Sequence, residues 1–189
     1  MGNPCNDMAD PRPHILVEGG TEYCKGTFLK LCSYMVKDIE SCRKMEMDIG
    51  KGILLTGPVG CGKTSMMRLV RHLVPHKRNY EIIPSRNITF AFNHIGYKII
   101  EDYGNGRFYC FDDLGVEPMG RYFGDDCNVM GEVLVSRHEL FQRTKIPTHI
   151  TTNLNAEELE ERYGKRVRSR MRQMFNLISF DKDTKDKRI

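Results

Sequence analysis

The sequence predicts an α/β protein in which a parallel β-sheet is covered by helices on both faces. Segments with strand character alternate along the chain with segments of helical periodicity, as in proteins built from β-α-β units. The strand segments are short and apolar without polar alternation, which is typical of strands buried on both faces. The length of 189 residues, with 40% hydrophobic and 29% charged residues, suits one domain with a sizeable core. This composition excludes a disordered or fibrous chain.

The first half of the chain contains two predicted helices and two predicted strands. Apolar residues recur three and four apart over 27–47, which predicts one amphipathic helix. The apolar run 53–55, bounded by glycines, predicts a buried strand. A helix is predicted over 66–74, where Pro75 ends it, and a strand over 80–83.

The second half continues the alternation. Residues 87–103 predict a helix with one apolar face, although the start of this segment, rich in Ile, Phe and Thr, is also compatible with a strand. Asn155 is a predicted helix cap. The remaining elements are predicted as strands at 108–111, 148–151 and 177–180 and as helices at 129–141 and 156–162.

A glycine-rich segment joins the first predicted strand to the next helix. It satisfies the pattern G-x-x-x-x-G-K-[ST], and the strand before it and the helix after it are the context in which this pattern binds phosphate. Its backbone N–H groups can surround one anion. Lys63 supplies a charge for the β- and γ-phosphates, and the Thr64 hydroxyl is a ligand for Mg²⁺. The candidate ATP phosphate-binding residues are Gly57, Pro58, Val59, Gly60, Cys61, Gly62, Lys63, Thr64 and Ser65.

Two carboxylates follow the strand predicted at 108–111. In an open parallel sheet the carboxyl ends of the strands face the ligand. Asp112 is therefore the second candidate metal ligand after Thr64, and Asp113 is the candidate for orienting or deprotonating an attacking water. Nucleotide hydrolases with such a carboxylate pair more often carry Glu at the second of the two positions. Because the Asp113 side chain is one methylene shorter, we expect slow hydrolysis of the nucleotide.

Asn153, Arg166 and Arg170 complete the candidate catalytic set. Asn153 follows another apolar strand, where an amide can contact the γ-phosphate or position water; a turn or helix cap is the alternative. Arg166 and Arg170 are four apart and share a helix face. They are candidates for an arginine finger that acts on the nucleotide of a neighbouring subunit. A contact to nucleic-acid phosphates and a solvated basic face are the alternatives.

Together these motifs resemble the AAA+ ATPases of the DnaC/DnaI helicase-loader and IstB-like transposase-helper group, over about residues 50–189. The matching stretches are Gly57–Thr64, 112–117, 151–154 and 162–171. The resemblance implies a three-layer α/β/α P-loop NTPase domain with a parallel sheet and no C-terminal lid domain. It also implies that Arg170 is the finger and Arg166 its companion. Residues 1–49 are then an N-terminal extension with one amphipathic helix, and 50–189 the ATPase domain.

The resemblance further implies a function: Mg²⁺-dependent ATP binding and hydrolysis, with self-association through a composite ATP site on single-stranded DNA. The partner is a replicative helicase or, alternatively, a transposase. Residues 162–189 contain ten Lys or Arg and three Asp, which suits a polyanion or a solvated basic face. A small-molecule kinase and a non-hydrolysing nucleotide-gated adaptor are the rival functions.

The sequence also predicts where the protein resides. No apolar stretch is long enough to span a membrane, and residues 1–13 contain no apolar secretory core. Seven cysteines, an odd number without a CxxC pair, do not suit a disulfide scaffold or a zinc ribbon. We therefore expect a reduced, cytoplasmic protein without membrane contact.

Overall fold

The computed structural model describes residues 22–73 and 79–180, which form a five-stranded sheet with helices on both sides. The end of the helix predicted over 66–74 and the basic residues after 180 lie outside the described residues. In chain order the elements are α1 (Glu22–Val36), α2 (Ile39–Lys44), β1 (Gly52–Thr56), α3 (Lys63–Val70), a 3-10 turn (Arg71–Leu73), β2 (Glu81–Pro84), α4 (Ser85–Ile95), α5 (Lys98–Tyr103), β3 (Tyr109–Leu114), β4 (Gly120–Tyr122), β5 (Asp125–Cys127), α6 (Val129–Thr144), β6 (His149–Thr152), α7 (Ala156–Met174) and β7 (Phe175–Ser179).

The main sheet has the strand order β2-β3-β6-β1-β7, and every neighbouring pair is parallel. Alternate residues of β1 point to opposite faces. Ile53 and Leu55 enter a cluster with α1 and α3, whereas Leu54 enters a second cluster with α4 to α7. This arrangement confirms the predicted three-layer α/β/α fold with a parallel sheet. Among the described residues, β7 is the last element, and no lid domain follows it.

The helix predicted over 27–47 is two helices, so that prediction is wrong in its length. Lys37 has a φ of 59°, and the Asp38 side chain then accepts a hydrogen bond from Ser41 N at 3.1 Å as the cap of α2. Both helices contribute to the core, α1 through Leu31 and Tyr34. The Tyr34 hydroxyl also donates to the carbonyl oxygen of Lys51 at 2.6 Å, which ties α1 to the start of β1.

The helix predicted over 87–103 is likewise broken, into α4 and α5, and the strand alternative at its start is wrong. Gly96, with a φ of 77°, lies between the two helices, and a Cβ there would lie 2.5 Å from the Tyr122 ring. That ring belongs to the hairpin of β4 and β5, which the sequence analysis did not predict. The break between α4 and α5 therefore lies where the chain contacts the hairpin.

α7 is much longer than the predicted helix over 156–162. It continues to Met174 and bends at Gly164, which has φ 82° and ψ 159°. Its start is as predicted: the Asn155 side chain accepts from Glu158 N, and the Glu158 side chain accepts from Asn155 N. Within the described residues no helix is both long enough and apolar enough to cross a membrane.

Candidate functional site

The candidate site lies at the carboxyl edge of the three central strands. β1, β6 and β3 run in the same direction, with Thr56 opposite Thr152 and Leu114 opposite Thr152 in the pairing. The segments that follow these strands therefore emerge side by side. This geometry brings the glycine-rich loop, the paired aspartates and Asn153 together, although they are up to 96 residues apart in the sequence.

The glycine-rich loop connects β1 to α3, as the sequence predicted. Gly62 precedes α3 with a φ of 97°, a conformation that favours glycine. Gly57 is needed for space, because a Cβ there would lie 2.7 Å from the Phe180 Cβ atom. The loop thus packs closely against the end of β7 and leads directly into the N-terminus of α3, where backbone N–H groups can bind an anion.

Lys63 places its ammonium group inside this loop. The side chain is 5% exposed, and Nζ donates to the carbonyl oxygens of Gly57 at 2.9 Å and Pro58 at 2.8 Å and to Asn153 Oδ1 at 2.5 Å. These partners are neutral, and no ion pair of Lys63 is found in the part of the chain that the structure describes. A buried cation without a counter-charge is suited to binding an anionic ligand.

Thr64 and Asp112 form a pair of oxygen ligands beside Lys63. Thr64 Oγ1 donates to Asp112 Oδ1 at 2.9 Å, and Thr151 Oγ1 donates to the same oxygen at 2.7 Å. Ser85 Oγ donates to the Asp112 carbonyl oxygen at 3.0 Å, which fixes the backbone. Hydroxyl and carboxylate oxygens are the ligands that Mg²⁺ prefers. The residues present therefore fit the metal that accompanies ATP.

Asp113 lies next to this pair with an unusual backbone conformation. Its φ is 51°, and its N–H donates to Thr151 Oγ1 at 2.9 Å. Thr151 therefore contacts both aspartates, one through its hydroxyl hydrogen and the other through its oxygen. No role of Thr151 was predicted from the sequence. Its hydroxyl, near the end of a strand that neighbours the aspartate-bearing strand, was the feature from which this contact could have been predicted.

Asn153 extends from the end of β6 toward the glycine-rich loop. The helix cap that was its alternative role belongs to Asn155. Asn153 Oδ1 instead accepts the hydrogen bond from Lys63 Nζ. The adjacent Thr152 hydroxyl donates to the Leu114 carbonyl oxygen at 2.6 Å, so the segments that carry Asn153 and Asp113 are joined directly.

Arg166 and Arg170 are not part of this cluster. α7 begins three residues after Asn153, and the bend at Gly164 lies between Ala156 and both arginines. The far end of α7 lies near the start of β1, where Lys51 Nζ donates to the Arg172 carbonyl oxygen at 3.4 Å. The end of α7 therefore lies toward the amino edge of the sheet, whereas Arg168, between the two arginines, lines a cavity with Gly57 and Asn153. Arg166 is exposed, and Arg170 is half-buried.

Arg137 is fully buried at the amino edge of the sheet, on the opposite side from the site. Its Nε donates to Thr148 Oγ1 at 2.8 Å, and its Nη1 donates to the Arg107 carbonyl oxygen at 3.1 Å. Burial lowers the pKa of Arg137 to about 10. The side chain joins α6 to the amino ends of β3 and β6, which is a structural role.

The fold of this chain is similar to that of several solved structures. The crystal structure of the DnaC helicase loader matches with a TM-score of 0.63 and 18% sequence identity, over 86% of this chain and 92% of that one. The crystal structure of DnaI matches with a TM-score of 0.61 and 19% identity, over 87% and 88% of the two chains. This chain therefore shares the fold of the DnaC and DnaI structures.

This likeness confirms the three-layer α/β/α fold that the sequence motifs implied. No protein-family model matches the sequence, and no curated protein sequence matches it either. At 18% and 19% identity the two structures agree with this chain in fold. The roles of individual residues therefore depend on the site geometry of this chain.

Proposed function

We propose that the protein is a Mg²⁺-dependent ATPase of the helicase-loader type that self-associates through a shared ATP site. In this proposal it acts in the cytoplasm on single-stranded DNA together with a helicase-like partner; a transposase is the alternative partner. The convergence of Lys63, Thr64, Asp112 and Asn153 at one edge of an AAA+ sheet carries the proposal. One of the structures similar to this chain is that of the DnaC helicase loader. The cysteines Cys32, Cys42, Cys61, Cys110 and Cys127 are free thiols, as in a reducing compartment.

ATP binding follows from the charges of the site. The Lys63 ammonium group is buried among neutral oxygens and would hold the β- and γ-phosphates, while the loop from Gly57 to Gly62 would surround them with N–H groups. Thr64 and Asp112 would hold Mg²⁺, which neutralises phosphate charge when bound. Asn153 already contacts Lys63 Nζ, so its amide is within reach of the γ-phosphate or of the attacking water.

Hydrolysis is assigned to Asp113, which would orient or deprotonate the water. The hydrogen bond from its backbone N–H to Thr151 keeps it beside the metal-binding carboxylate. Its side chain is one methylene shorter than that of Glu, so we expect slow turnover. A version of the site that binds ATP without hydrolysing it would make the protein a nucleotide-gated adaptor.

A second subunit is needed to supply Arg170. Among the described residues, Arg170 takes no part in the hydrogen bonds around Lys63 and Asp112. Arg170 Nη1 is buried and has no hydrogen-bond partner in the part of the chain that the structure describes. In the proposal Arg170 reaches the nucleotide of a neighbour, with Arg166 as its companion.

A nucleic-acid partner is supported by basic and aromatic side chains at the surface. The second half of α7 carries Lys165, Arg166, Arg168, Arg170 and Arg172, which suit phosphate contacts. In the hairpin of β4 and β5, Phe123 is 92% exposed, and Tyr97 nearby is 56% exposed. Exposed aromatic rings provide surfaces on which unpaired bases stack.

The first experiment measures ATP turnover against protein concentration, with and without single-stranded DNA. The proposal predicts that turnover per subunit rises with concentration and rises further with DNA, because the site is completed by a neighbour. A flat rate that ignores DNA would contradict it. ATP binding and oligomerisation without phosphate release would instead support the adaptor.

Substitutions of Lys63, Arg170 and Asp113 test the assigned roles. Lys63→Ala should abolish ATP binding, measured with a fluorescent nucleotide, whereas Lys37→Ala at an exposed position should not change it. Arg170→Ala should retain ATP binding but lose turnover. Mixing it with Asp113→Ala should restore activity, because one variant keeps the aspartate and the other keeps the arginine. An inactive mixture would contradict the shared site.

A monomeric phosphotransferase is the second candidate function. A cleft of about 250 Å³ opens next to Asp112, and Arg68, Arg71 and His72 line it. Such a basic cleft beside a nucleotide site could hold a phosphorylated acceptor. Transfer of the γ-phosphate to a nucleoside or another small molecule, without any response to DNA, would favour this function.

A further inference from the structure

Glu117 is a buried carboxylate in the segment that follows β3. It is 3% exposed and lies four residues after Asp113. Its Oε2 accepts a hydrogen bond from Gly115 N at 2.8 Å. Gly115 packs so closely on the segment after β6 that a Cβ there would lie 2.4 Å from a Leu154 methyl group. One oxygen of Glu117 therefore holds the backbone that leads directly from the catalytic aspartate.

The other oxygen of Glu117 contacts α7. Tyr163 OH donates to Glu117 Oε1, and Arg162 Nε approaches the same atom at 3.4 Å. The Arg162 guanidinium also donates to the Glu117 carbonyl oxygen. Burial and the Glu117 charge raise the pKa of Tyr163 well above its ordinary value, so the hydroxyl keeps its proton and remains a donor. Glu117 thus joins the segment after β3 to α7.

The contacted residues are next to the bend of α7. Arg162 and Tyr163 immediately precede Gly164, where the helical φ and ψ angles are interrupted. Asn128 Nδ2 donates to the Arg162 carbonyl oxygen at 2.8 Å, which holds the same turn from the start of α6. Arg166 and Arg170 follow directly after the bend. The direction of the arginine-bearing half of α7 is therefore set at residues that Glu117 contacts.

We propose that Glu117 is a positioning residue that couples the Asp113 segment to the direction of Arg166 and Arg170. A buried carboxylate must keep its partners. A shift of the segment after β3 would consequently move Tyr163 and Arg162, and with them the arginines that face the neighbouring subunit. The state of one ATP site is thereby transmitted to the next. This inference rests on the proposed function, because it requires an ATP site shared between subunits.

The test uses mixtures of two variants, each of which supplies one part of the shared ATP site. Arg170→Ala subunits provide the hydrolysing site, and Asp113→Ala subunits provide only the arginine. Glu117→Gln is then added to the Asp113→Ala subunit, where the aspartate of the same chain is already lost, so that any effect must pass through α7. Glu161→Gln in the same subunit is the matched control, since Glu161 is exposed and adjacent to Arg162.

The subunit that supplies the arginine is called the donor. The coupling predicts that a donor with both Asp113→Ala and Glu117→Gln restores on the order of ten- to a hundredfold less turnover than a donor with Asp113→Ala alone, because a small displacement of a catalytic group has such effects. The Glu161→Gln donor should restore turnover fully. Equal restoration by the Glu117→Gln donor would overturn the coupling. If a mixture of Arg170→Ala and Asp113→Ala subunits, without any change at Glu117, does not restore turnover, the shared site itself is refuted.

Two additional measurements separate positioning from loss of fold. Glu117→Gln in the otherwise unchanged chain should keep its affinity for ATP, because Lys63 and Thr64 are not altered, while its kcat falls. Tyr163→Phe removes only one hydroxyl group, so it serves in the same mixtures if Glu117→Gln does not fold. A Tyr163→Phe donor that restores turnover fully would overturn the role of this contact.

Discussion

His149 offers a quantitative test of how the sheet is held together. The imidazole is buried at the start of β6, between the rings of Tyr34 and Tyr80, at centroid distances of 5.8 and 4.7 Å. Its Nδ1 accepts a hydrogen bond from Ile53 N at 3.1 Å, which requires the neutral ring. Burial, together with the charge of Arg137, lowers the pKa of His149 from 6.5 to about 3.

The direction of the pH effect follows from this lowered pKa. Above pH 6.5 the ring is neutral in both states, and the full stability is present. As the pH falls toward 3, the unfolded chain binds a proton that the folded protein excludes, so stability is lost. With pKa values of about 3 folded and 6.5 unfolded, the free energy of unfolding decreases by about 2 kcal/mol from pH 7 to pH 5.

The assay is urea unfolding followed by circular dichroism at both pH values. His149→Asn keeps an acceptor for Ile53 N but does not titrate, so its free energy of unfolding should lack this decrease, although lost ring packing lowers its stability at pH 7. His94→Asn, at an exposed histidine, should show the full decrease. An equal pH dependence in His149→Asn and in the unmodified protein would refute the reasoning.

Substitutions at Phe92 and Asn155 test the packing of α4 and the capping of α7 by thermal unfolding. Phe92→Ala, at a fully buried ring, should lower the free energy of unfolding by about 3–5 kcal/mol because it leaves a cavity; Phe90→Ala, at a half-exposed position of the same helix, should cost less than about 1 kcal/mol. Asn155→Ala should cost about 1 kcal/mol, because the reciprocal cap of α7 is lost. Asn155→Asp, which keeps the acceptor oxygen, should retain most of that stability, and equal losses in the two Asn155 variants would contradict the capping role.

Much of the fold could be predicted because its signals are local. The glycine-rich loop combines glycines, a lysine and a threonine at a spacing that is visible within eight residues, and its flanking strand and helix were predicted with it. The five strands of the main sheet were also predicted, since buried parallel strands form short apolar runs. Their parallel order then places the predicted aspartates and Asn153 at one edge.

The breaks between helices were not predicted, because helical periodicity continues across them. Gly96 interrupts an apolar pattern that otherwise fits one helix over 87–103. Glycine is tolerated within helices, and the Tyr122 ring that occupies the space around Gly96 lies in a hairpin 26 residues later. The hairpin itself consists of two strands of three residues each, which is too short for an alternating pattern.

The sequence by itself determined the glycine-rich loop, the α/β class and the positions of the buried strands along the chain, because each depends on the spacing of residues that are close together in the chain. Only the tertiary structure decided that Lys63 contacts Asn153, that Thr151 contacts both aspartates and that Glu117 joins the segment after β3 to α7. These contacts connect residues 38 to 90 positions apart. Whether such side chains meet depends on how the strands are ordered and on where the helices bend, which no local pattern specifies.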